Sequence, residues 1–134
     1  MSVITINLEQ GIALLDGLVE EKGAGFLYSG PCNYERNGQP DCLIGQALAK
    51  AGVPIQTLRK MDTLDWSPVD EDGNKVFTGT DISTILYSHE FDGDFILDEE
   101  ATNLFAEAQR LQDLQEPWGE AVKSAKAHAY TDAT

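Results

Sequence analysis

A chain of 134 residues has the size of one domain, and 42% hydrophobic residues with only five prolines describe a folded polypeptide rather than a disordered one. Charge is the outlier: 23 Asp and Glu against 9 Lys and Arg leave −14, a field that repels nucleic-acid phosphates and anionic membrane surfaces. No apolar run approaches the roughly eighteen residues of a membrane span, and Met1-Ser2-Val3-Ile4-Thr5 lacks the basic and apolar stretches of a signal peptide, so a cytoplasmic protein is expected.

In chain order, the β-branched run Val3-Ile4-Thr5-Ile6 predicts a short strand. Asn7 then reads as an N-cap with Gln10 three residues on, an imperfect capping box. Leu8, Ile12, Leu15 and Val19 follow at helical spacing, with Gly23 as the stop and Gly11 and Gly17 as weak points. Phe26-Leu27-Tyr28 is a second strand candidate. After Pro40, Asp41 is placed to cap a helix bearing Leu43, Ile44, Ala47, Leu48 and Ala51, ended by Gly52, and Pro54 opens another through Ile55, Leu58 and Met61.

Trp66–Val69 and Lys75–Thr78 bracket an acidic turn and read as a hairpin or long loop, after which Thr80 or Asp81 caps a short helix with Ile82, Ile85 and Leu86. The C-terminal third is the most regular. Asp98 caps a helix whose apolar stripe is Leu97, Ala101, Leu104, Phe105, Ala108, Leu111 and Leu114. Pro117 breaks it and starts a last helix with Trp118, Ala121, Val122 and Ala125. The expected fold is a helix-dominated α+β single domain over residues 1–134, with a few short strands and a hairpin.

The charge is not evenly spread. Between Asp62 and Glu100 lie twelve acids and one base, Lys75, so this segment holds −11 of the −14. Concentration of that kind in a loop-rich third predicts a patch that meets a basic protein, with Asp62, Asp65, Asp70, Glu71, Asp72, Glu90, Asp92 and Asp94 as the contact residues. The plainer alternative is a solvated face beside helix N-termini. Calcium is not expected. Asp70, Asp72 and Asn74 match the first EF-hand ligand positions, but Lys75 falls where the glycine belongs, and Ile96 spoils the register from Asp92 and Asp94.

Two cysteines make no disulfide scaffold. Cys32 and Cys42 flank a segment centred on Asn37-Gly38, a turn signal that would bring the sulfurs together if the segment doubles back. A reducing cytosol would keep both as thiols; an oxidising medium would permit a bridge. Cys42 also falls at the start of a predicted helix, where backbone N–H groups favour a thiolate. A cysteine hydrolase using Cys42 with His89 is thus the alternative function. Asp41 beside the sulfur opposes ionisation, and a cysteine next to Leu43 and Ile44 is more commonly a core residue. Zinc held by Cys32, Cys42, His89 and His128 would need spacings unlike a closed zinc site, so no metal and no cofactor are expected.

The stretches Gly38-Gln39-Pro40-Asp41-Cys42-Leu43-Ile44-Gly45 and Ala51-Gly52-Val53, with Ala108-Gln109-Arg110-Leu111-Gln112-Asp113 and Pro117-Trp118-Gly119-Glu120-Ala121-Val122, resemble small acidic proteins of actinobacteria and their phages. That family has no assigned activity, so the resemblance carries over no functional residue. It implies a small, phage-borne protein of the host cytoplasm that binds host proteins. The expectation is a non-enzymatic acidic interaction protein, in its sharp form a phage-encoded inhibitor that mimics nucleic-acid charge toward a host nucleic-acid-binding or defence protein.

Overall fold

The β-branched opening of the chain forms a strand whose partner is distant in sequence. Ile4–Ile6 (β1) pairs in parallel with Phe95–Leu97, matching Ile4 to Phe95, Thr5 to Ile96 and Ile6 to Leu97. The computed structural model describes residues 3–28, 33–63, 71–73 and 82–132. After β1 come α1 (Leu8–Lys22), β2 (Glu35–Arg36), β3 (Gln39–Pro40), α2 (Leu43–Lys50), α3 (Ile55–Asp62), α4 (Ile82–Tyr87), β4 (Phe95–Leu97), α5 (Glu99–Asp113) and α6 (Trp118–Asp132). Helices dominate, and the strands form two two-stranded sheets, so the chain is a helix-rich α+β fold as expected.

Local chemistry sets several boundaries. Asn7 Oδ1 accepts from Gln10 N at 2.9 Å while Gln10 Oε1 accepts from Asn7 N at 2.9 Å, a complete capping box where the sequence suggested an imperfect one. Asn37 and Gly38 both take positive φ, +55° and +81°, and make the two-residue turn that joins β2 to β3. Asp98 caps α5, its Oδ1 accepting from Ala101 N at 2.7 Å.

Three expectations need correction. Asp41 does not cap α2: its backbone N–H still serves the hairpin, donating to Tyr34 O, and its carboxylate accepts from the Tyr28 hydroxyl. Cys42 is the N-cap instead. Phe26–Tyr28 forms no strand, because its neighbourhood is used to cap α6: Trp118 N donates to Phe26 O and Gly119 N to Ala24 O, each at 2.9 Å. The α5 stripe is shorter at both ends: Leu97 belongs to β4, and Leu114 does not continue it. The helix ends at Asp113, and Leu114 follows as its exposed cap. The expected 66–78 hairpin lies outside the described residues, apart from a turn at 71–73.

What the stripe buries in place of Leu114 is polar. Gln109 and Gln112 are buried on α5, one turn beyond Phe105 and Ala108. Gln112 Oε1 accepts from Leu43 N at 2.8 Å, the first residue of α2, and Gln109 Oε1 accepts from Ile82 N at 2.7 Å, the first residue of α4. Gln109 Nε2 also donates to Tyr34 Oη at 2.9 Å. One helix therefore caps two others from the side. Tyr34 is itself fully buried, and its backbone crosses α2 so closely that a Cβ on Gly45 would lie 2.3 Å from Tyr34 O. Only glycine fits there.

Replacing Gln112 or Gln109 with Leu removes an acceptor from a buried backbone N–H, and each change should lower the unfolding free energy by about 1–3 kcal/mol in a urea titration. Leu114→Ala, on the surface, should stay within about 0.5 kcal/mol of the unmodified chain. A Gln112→Leu protein as stable as Leu114→Ala would show that the cap carries no weight.

Candidate functional site

The acidic segment divides into residues that hold the fold and residues that face solvent. Asp62, the last residue of α3, belongs to the first group. Its carboxylate accepts from Tyr34 N at 2.8 Å and Glu35 N at 2.9 Å, anchoring the strand that crosses α2. Burial pushes its pKa up, with the two amides pulling the other way. Asp98 is likewise occupied as the α5 cap. Asp65 and Asp70 lie outside the described residues, and Glu71 and Asp72 are exposed in the turn before Gly73.

Glu90, Asp92 and Asp94 come together in the turn that joins α4 to β4. Phe91 anchors it: the ring is buried against Phe95, centroids 6.5 Å apart, and Phe91 O accepts from Asp94 N at 2.9 Å and Phe95 N at 3.1 Å. With Phe91 pointing in, its polar neighbours point out, and all three carboxylates are exposed. His89 takes positive φ, +62°, and its Nδ1 lies 2.8 Å from Asp92 Oδ2. Apolar surface brackets the turn, Tyr87 being 71% exposed on one side and Ile96 43% exposed on the other.

The alternative pairing of Cys42 with His89 is not assembled. Cys42 is buried and disulfide-bonded, so no thiolate stands at the start of α2; its Sγ accepts from Gly45 N at 3.5 Å. Of the two states left open for the cysteines, thiol or bridge, Cys42 is in the bonded one; Cys32 lies outside the described residues. His89 is on the surface, its side chain 75% exposed and turned to Asp92. His128 sits near Glu107, at 4.0 Å. Among the described residues no group of three or more His, Cys, Asp or Glu is arranged to hold a metal ion, and no helix is long and apolar enough to cross a membrane.

Sequence reading missed Asp62 as an anchor and the two α5 glutamines as caps. For the glutamines a signal was present, since Gln109 and Gln112 extend the Phe105 and Ala108 face at helical spacing. For Asp62 there was none, because its partners lie 28 and 27 residues away. Comparison of the chain with protein families, with curated proteins and with solved structures found no match.

Beside Cys42 the hairpin is tied to the 26–28 segment by Tyr28 Oη donating to Asp41 Oδ2 at 2.5 Å. Burial, and then that carboxylate, push the Tyr28 phenol up to about 12. A phenol held above its unfolded value of about 10 contributes stability below that pH and loses it as the pH rises toward its folded value. Tyr28→Phe should therefore cost about 1 kcal/mol at neutral pH, and the gap between the two proteins should close between about pH 10 and 12. In the variant, a phenolate titration followed at 295 nm should lose a component that ionises near pH 12. A gap that widens with pH would contradict the assigned bond.

Proposed function

We infer that the chain is a non-enzymatic interaction protein that meets a basic protein surface with its acidic segment. The observation that carries this reading is the 88–94 turn. Three exposed carboxylates stand within five residues, the described side chain paired with them is an imidazole, and the exposed Tyr87 and Ile96 lie on either side. Interfaces of this kind use an aromatic anchor for affinity and the surrounding charge for speed and selectivity of encounter. In its finer form the partner is a host nucleic-acid-binding or defence protein, whose phosphate-binding surface the carboxylates would occupy in a phage-encoded inhibitor. The buried, bonded sulfur of Cys42 weighs against the hydrolase alternative.

The test compares two charge reversals of equal size, Glu90→Lys with Asp94→Lys, and Glu116→Lys with Glu120→Lys on the exposed approach to α6. Each full-length protein is immobilised and used to retain proteins from a lysate of the producing cells at low salt, followed by a salt step. A basic protein kept by the unmodified chain and by the second pair, and lost by the first, is the expected result. Its association should slow steeply as the Debye length falls from about 30 Å at 0.01 M to about 8 Å at 0.15 M. Equal losses from both pairs would mean a diffuse field with no site at the turn.

A further inference from the structure

A second surface lies on the other side of β1. In a parallel ladder alternate residues of a strand point their backbone groups to opposite neighbours. Ile4 N donates to Asp94 O and Ile6 O accepts from Asp98 N, so Ile4 and Ile6 serve β4, and Thr5 turns its N–H and C=O the other way. No residue described in the structure bonds to them. They face a groove of about 500 Å³ between β1, the outer face of α1 at Ala13, Leu14 and Gly17, and Ala51 at the end of α2.

Gly17 is the informative position. Glycine weakens a helix interior relative to alanine, so it calls for a reason. Gly11 has one: a Cβ there would meet Leu104 Cδ2 at 3.1 Å and Phe105 Cε1 at 3.2 Å. A Cβ on Gly17 would meet nothing within 4 Å. The packing of this chain does not require the glycine, and its effect is to keep the groove floor open.

We propose that this groove takes an extended, basic segment of a protein partner, added as a third strand beside β1 with its backbone bonded to Thr5. The unused N–H and C=O call for an extended backbone. The charge of the rim selects a basic one. Glu9, Asp16 and Glu20 are exposed along the α1 flank next to Ala13; Asp16 is held by Lys126 at 3.0 Å, while Glu9 and Glu20 have no cation partner among the described residues. Lys50, on the opposite wall, is neutralised by Glu21 at 3.0 Å. A second copy of the chain is disfavoured as the occupant, since pairing edge to edge would bring together two molecules of −14 each.

The probe is an acetylated, amidated hexapeptide alternating lysine and valine, titrated into the full-length protein and read by amide NMR and hydrogen exchange. The Thr5 amide should shift and become protected. Gly17→Leu, which fills the groove, should weaken binding at least tenfold while melting at or above the unmodified temperature. Glu9→Lys with Glu20→Lys should weaken it without touching the groove, which keeps the test decisive should the leucine disturb α1. A peptide N-methylated on alternate amides, or one with glutamate for lysine, should not bind, and the Glu90→Lys, Asp94→Lys protein should retain Thr5 protection, which separates this surface from the acidic turn. The proposal is overturned if Thr5 exchange is unchanged, if neither Gly17→Leu nor the rim reversal weakens binding, or if the free protein is a dimer that Gly17→Leu dissociates, which would make a second copy the occupant.

Discussion

Two side-chain amides on one helix hold the architecture in place. A helix N-terminus presents backbone N–H groups that must find acceptors, and burial removes water as a candidate. Leu43 and Ile82, the first residues of α2 and α4, are both fully buried. At α2 the N-cap is Cys42, whose sulfur is a weak acceptor that takes Gly45 N at 3.5 Å. Gln112 and Gln109 supply the missing oxygens from α5, 69 and 27 residues away in sequence. Because a half-satisfied buried network costs more than an apolar core, the starts of α2 and α4 are tied to the docking of α5. Through the Tyr34 hydroxyl the same network reaches the segment whose amides are taken by Asp62, so α2, α3, α4, α5 and the start of β2 share one set of hydrogen bonds.

This dependence explains which parts of the fold were legible in the sequence. Elements with local signals were readable: Asn7 and Gln10 for α1, Asn37-Gly38 for the hairpin, Pro54 for α3, Asp98 for α5 and Pro117 for α6. Elements defined by distant partners were not. Phe95-Ile96-Leu97 carries no strand signal beyond three apolar residues abutting a helix cap, and it becomes β4 because β1 lies beside it. Phe26-Leu27-Tyr28 has the better strand composition but is drawn off by the two N-terminal amides of α6. Composition describes what a segment could pair with; the available edges and helix ends decide which segment does.

The stretch of acids was legible in the sequence, and the structural duties of two of them were not. A count of carboxylates treats Asp62 and Asp98 as equal to Asp94, yet each of the first two accepts a backbone N–H, an interaction within the chain that leaves little for a partner. Some of the acidity between 62 and 100 is thus structural chemistry. What remains for the proposed recognition in the described residues is narrower than the segment. It centres on a turn whose outward display follows from the inward anchoring of Phe91.

The parallel pairing of β1 and β4 relates the turn to the groove. Parallel strands begin at the same end, and Ile4 N bonds directly to Asp94 O at 3.3 Å. The acidic turn therefore stands at the end where β1 starts, while the groove runs along the free edge of that same strand toward the first turn of α1 and Glu9. An extended chain lying against Thr5 would have β1 between it and Asp94, two strand spacings or about 10 Å away. At about 3.3 Å per residue, three or four residues span β1, so the free edge takes only a short segment. A three-residue strand is too short to hold a partner by backbone bonds alone, and an acidic turn alone selects little beyond charge. As proposed, the edge would supply direction and register and the turn a separate attraction.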